Sequence, residues 1–242
     1  MTQTSISLDE AVELTRTGDV WVFRGRSAPD RAIQLTTNSP VNHVGMAVVL
    51  DDMPPLMWHA ELGRSLPDLW AGGHHRGVQL HDLRDAVCVW ANRYGQRAWL
   101  RQLEPPAARQ MEDAVLRTVA RLDGTPFPST AQLAWRWVRG RVPDVRLPGG
   151  RRIARPFTAP DADRSPSAVD ADRSPSAAAG DRALETAYCA EVVAVTYEAM
   201  GLLPAGRRPN WYDPGRFWSG DDLELADGAR LGSEIMVSIP PR

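Results

Sequence analysis

Cys189 is the side chain here best suited to nucleophilic chemistry. It falls in the first turn of a predicted helix over residues 189–200, on the apolar face. A helix N-terminus presents unpaired N–H groups and partial positive charge, which favour the reactive thiolate. A cysteine in that place also serves simply as a small buried hydrophobe. The histidines narrow the choice. Only five occur, His43, His59, His74, His75 and His81, and the first two lie in two predicted strands of one hairpin. A thiol, an imidazole to take its proton and a third group to orient the imidazole make the set for acyl transfer through a covalent intermediate. His59 is the expected orienting group and Glu61 the alternative, because carboxylates also fill that role. Glu191 is expected to act on the helix dipole rather than as an acid. His74 and His75 follow the Gly-rich loop 71–73, and Cys88 lies in a predicted strand. A zinc site from His43, His59 and Cys189 has suitable ligand types but no close-spaced ligand pair, so neither metal nor cofactor is expected.

These residues must be positioned by the elements around them. Ser7-Leu8-Asp9-Glu10 reads as a capping box opening a helix to about Thr15, with Gly18 as its stop. Strands are expected over 19–23, 43–50, 56–61, 78–80, 86–91 and 234–239. Helices are expected over 30–37, 106–122 and 129–138. Cys189, Val192, Val193, Thr196, Tyr197 and Met200 recur at helical spacing before Gly201. The sum is an α+β fold.

The chain of 242 residues is long enough for one ordinary domain, and 43% hydrophobic with 24% charged residues is a globular composition. A net charge of −2 gives no reason to expect nucleic acid or an anionic membrane as partner. All 28 basic residues are Arg, a count that codon bias explains better than function does. Two cysteines do not make a disulfide framework, and no secretory signal or spanning run is seen, so a cytoplasmic location is expected. From 141 to 183 the chain is rich in Pro, Gly, Ser, Asp and Arg, and DADRSPSA occurs at 161–168 and again at 170–177. Such a tract reads as a low-complexity, disordered insertion. It divides one domain into 1–140 and 184–242. The arginines from Arg136 to Arg155 are expected to be its solvated flank, and Trp211 and Trp218 to line a groove for an apolar ligand.

Three segments carry a resemblance. Ser39-Pro40-Val41-Asn42-His43-Val44-Gly45 is similar to the strand bearing the catalytic His of NlpC-type cysteine peptidases. Met57-Trp58-His59-Ala60-Glu61-Leu62-Gly63 is similar to their next strand, and Tyr188-Cys189-Ala190-Glu191 to the nucleophile helix of the permuted branch. Gly18-Asp19-Val20-Trp21 resembles the opening strand of the same family, the YiiX/YaeF-like permuted papain-like amidases and peptidases. Gly124-Thr125-Pro126-Phe127 and Asp213-Pro214-Gly215-Arg216-Phe217 resemble two further elements. Ala190 stands where the family usually has Ser, and Phe127 where it has Tyr, which removes a hydroxyl near the oxyanion.

The resemblance implies a circularly permuted papain-like fold, with a small antiparallel sheet packed on helices. It implies a hydrolase acting through a thioester on Cys189, with His43 as base and His59 as orienter. The substrate would be a peptide-like or lipid-linked amide or ester lying near Tyr188, Phe127 and Trp58. Two other functions fit the same order of residues: an acyltransferase of the lecithin:retinol acyltransferase-like branch, and a binding module without turnover.

Overall fold

Strands that are buried along nearly their whole length build a sheet with two covered faces. The computed structural model describes residues 5–26, 39–125, 188–204, 207, 209–219 and 223–241. The expected helices at 30–37 and 129–138, the insertion at 141–183 with its flanking arginines, and Phe127 lie outside these residues. Among the described residues the fold is mixed α and β. Strands β1 (Ser5–Ser7), β2 (Val20–Arg24), β3 (His43–Val48), β4 (Leu56–Glu61), β5 (Gly77–Asp82), β6 (Arg97–Arg101) and β9 (Ile235–Ser238) form one seven-stranded sheet in the order β1-β9-β6-β2-β3-β4-β5. Only β1 and β9 pair in parallel. Two short strands, β7 (Leu103–Glu104) and β8 (Arg230–Leu231), make a separate ribbon.

Helices cover both faces. On one face, α1 (Leu8–Leu14) and α2 (Leu83–Tyr94) pack with Trp21, Phe23, Ala47, Met57, Ala98 and Leu100. On the other, α3 (Arg109–Leu122) and the helical residues 188–199, here α4, pack with Val20, Val22, Val44, Met46, Trp58 and Leu80. The residues on each strand divide between the two cores by the period of two that strands impose.

Two expectations change. The apolar run 86–91, expected as a strand, lies inside α2. Asp82 caps that helix by accepting from the Asp85 N–H, Gly95 ends it in the left-handed region, and Leu83, Ala86, Val87 and Trp90 share its buried side. The strand β6 is unanticipated. Its Arg101 is buried because its guanidinium donates to the carbonyls of Phe217, Leu231 and Gly232. The opening Gly-Asp pair has a structural purpose: the Asp19 carboxylate accepts from the backbone N–H groups of Arg16 and Leu103, each at 2.8 Å, and ties the start of β2 to the turn before it and to β7.

Candidate active site

The three central histidines stand on one sheet face because each occupies the same parity of its strand. In β4 and β5, Trp58, Ala60, Val78 and Leu80 belong to the α3/α4 core, so His59, Glu61, Gln79 and His81 point the other way, toward α2. Met46 pairs with Trp58, and one step further along that ladder Gly45 lies across from His59. His43 is therefore diagonal to His59. Met57 pairs with His81, so His81 is diagonal to His59 on the far side. Diagonal neighbours in a sheet are within reach of ring side chains. A stair of three imidazoles results, with His43 Nε2 3.3 Å from His59 Nδ1 and His59 Nε2 3.0 Å from His81 Nδ1.

Gly45 makes the stair possible. A Cβ there would run into Met57 Sδ and meet His59 Cβ at 3.4 Å. Trp90 of α2 closes the site from above, its ring centroid 4.9 Å from that of His43 and 4.8 Å from that of His59, both edge to face. Phe23 flanks His43 at 5.9 Å.

Burial keeps the imidazoles neutral. It pushes His43 down to about 3, with the nearby His81 adding to the effect. His59 is driven well below the usual range by burial and then by both neighbours. His81 falls to about 4, again chiefly through burial, with Asp68 opposing. The Glu61 carboxyl is raised by burial, although the Ser65 N–H and hydroxyl both donate to it, at 3.2 and 2.6 Å. A neutral imidazole is the form that accepts a proton. If His43 donates through Nε2–H to His59 Nδ1, its Nδ1 keeps a lone pair, and His59 passes its own N–H to His81.

The structure thus joins His43 to His59, while the Glu61 carboxylate is held by Ser65. Cys189 lies elsewhere. It is fully buried in the core that includes Val44, Met46 and Trp58, on the opposite face from the ring contacts of His43. Neither cysteine is in a disulfide. Tyr188 is buried in the same core.

One placement expected near a substrate is corrected. Trp58 is fully enclosed, and its Nε1 donates to Thr196 Oγ1 at 3.1 Å, so it fastens α4 to the sheet instead of lining a cleft. Trp211 is stacked by Arg207 and Arg216, at 4.4 and 4.0 Å, and Trp218 packs edge-on against Trp99 at 5.3 Å beneath Arg24. Cys88 is buried on α2 rather than in a strand. His74 is exposed and His75 half-buried.

His81 and Trp90 are the members of the site that sequence reading missed. The signal for His81 was present in Val78-Gln79-Leu80-His81, where two polar side chains alternate with two apolar ones in a short strand. Trp90 was hidden by the strand expected around it.

No family model matches the chain, and no curated protein matches it. Among solved structures it is similar to the crystal structure of metalloprotein yiiX from Escherichia coli, at 22% identity and a TM-score of 0.35, over 48% of this chain and 54% of that one. The chain therefore spans about half the length of that protein. A likeness of this extent transfers neither fold nor activity.

Proposed function

We propose that the chain is a cysteine hydrolase of amide or ester bonds on a circularly permuted papain-like fold, with Cys189 as nucleophile, His43 as base and His59 as orienter. The observation that supports this most is the 3.3 Å contact between His43 Nε2 and His59 Nδ1 under the Trp90 ring. It supplies the base and its orienter, and His81 extends the orienting chain. In this reading His43 Nδ1 takes the Sγ proton, and the sulfur adds to the substrate carbonyl carbon. Backbone N–H groups around Cys189 hold the oxyanion. The imidazolium returns the proton to the leaving amine or alcohol, leaving a thioester. Water then adds with His43 again as base, and the acid and the free thiol are released.

In this reading Cys189, in the first turn of α4, and His43, the first residue of β3, meet at that end of the sheet. The full burial of Cys189 favours a second reading, a binding module without turnover. Incubation with activated esters, followed by intact-mass analysis, separates the two. The hydrolase forms an acyl adduct on Cys189 that water clears, is absent in Cys189→Ala and forms slowly in His43→Ala. An adduct cleared only by an added amine or alcohol makes the chain an acyltransferase. No adduct at Cys189 with any ester overturns the proposal and leaves the binding module.

A further inference from the structure

Beside the histidine stair, the polar layer under α2 gathers three side chains of metal-ligand type. His59, Glu61 and His81 each offer one ligand atom, and these atoms all lie within 4.8 Å of one another. The three residues are 0%, 5% and 0% exposed, so water is not their natural partner. Strand geometry explains the grouping: His59 and Glu61 are two apart on β4 and share its face, and His81 is the diagonal neighbour on β5. One further atom is enclosed without a hydrogen-bond partner, Gln79 Oε1. Gln79 lies directly across from His59 in the ladder. Buried polar atoms left in this way are uncommon and mark an absent partner.

We propose that His59, Glu61 and His81 form a site for one divalent cation of the zinc class, with Gln79 Oε1 as the adjacent fourth donor. Two imidazoles and a carboxylate are the donor set of a four-coordinate zinc site with one position left for another oxygen. Two nitrogens on such an ion stand about 3.3–3.4 Å apart, and His59 Nε2 and His81 Nδ1 are already at 3.0 Å. A hard cation such as magnesium or calcium would call for more oxygens than the layer offers. The Asp68 carboxylate, which acts on His81, balances part of the ion's remaining charge.

One consequence rests on the hydrolase reading, whereas the site itself does not. An ion on His59 Nε2 leaves the proton on His59 Nδ1, which must then be donated to His43 Nε2. His43 then carries its remaining proton on Nδ1 and has no lone pair there for a thiol. The loaded form is the resting form.

The test is titration of the chelator-treated full chain with cobalt(II), read by visible absorption and by bound metal per chain. One equivalent is expected, with four-coordinate bands and no thiolate charge-transfer band. Glu61→Gln and His81→Gln are each expected to weaken binding at least tenfold, and Cys189→Ala to leave it unchanged. Melting of each variant in chelator shows that it folds. The proposal is overturned if the chain binds no cobalt, or if binding is lost in Cys189→Ala together with a thiolate band. Alkylation of Cys189 in chelator tests the hydrolase reading separately, because cobalt binding needs no turnover.

Discussion

The two faces of the seven-stranded sheet are packed by different means. Toward α3 and α4 the strands present Val44, Met46, Trp58, Ala60, Val78 and Leu80, an apolar layer in which the Trp58–Thr196 hydrogen bond satisfies both polar atoms. Toward α2 the same strands present His43, His59, Glu61, Gln79 and His81 beneath one indole. The first face is what stability alone would select, since each buried side chain contributes by leaving water. The second is costly to desolvate, and such departures from local consistency mark functional ground. Cys189 lies in the first layer and its proposed base in the second, so the proposed chemistry depends on the sheet end where they meet.

The comparison is broken most forcefully on the apolar side. Trp58→Ala removes a fully buried indole and is expected to cost about 3–5 kcal/mol in denaturant unfolding, while leaving the cobalt affinity of the folded fraction intact. A loss of metal binding in step with stability would show that the faces are not independent. A smaller effect separates packing from site geometry. Gly45→Ala forces Met57 and His59 apart and is expected to cost about 1–3 kcal/mol. It should also disturb the His43–His59 contact, seen as changed imidazole nitrogen shifts by NMR. Unchanged shifts would remove Gly45 from the site.

The smallest effect is a slope. His81 sits at about 4 when folded, against 6.5 as its ordinary value. Below pH 6.5 the unfolded chain therefore binds a proton that the folded chain refuses, and stability falls as pH drops toward 4. The contribution is at most about 1.4 kcal/mol per pH unit. The carboxyls of Asp19 and Asp123, raised to about 6 by burial, act in the opposite sense in both forms and cancel in the difference. His81→Asn should flatten the wild-type dependence between pH 6.5 and 5. Parallel curves would mean that His81 does not titrate as its burial requires.

Much of this arrangement was legible in the residues. The strand at 56–61 was expected with the bounds it has, since Pro54-Pro55 and Gly63 bracket it. Pairing of His43 with His59 followed from two adjacent strands. The α2 helix was misread because Ala86–Ala91 is a continuous apolar run, a pattern that does not distinguish a strand from a buried helix. The caps Asp82 and Gly95 were the better guide. β6 escaped notice because its charged ends, Arg97 and Arg101, mask a three-residue apolar centre. The opposed placement of Cys189 and His43 was also readable. The apolar residues of β3, Val44, Met46 and Val48, must face the apolar stripe of α4, which turns His43 the other way.

The most direct test of the thiol–imidazole pair is site-resolved alkylation of Cys189 and Cys88 by iodoacetamide across pH. The comparison is fair, because the two thiols are 0% and 3% exposed. In chelator, below pH 7, Cys189 is expected to react at least tenfold faster than Cys88, and His43→Ala is expected to remove the advantage. Equal rates at the two cysteines, unaltered by His43→Ala, would contradict the pairing.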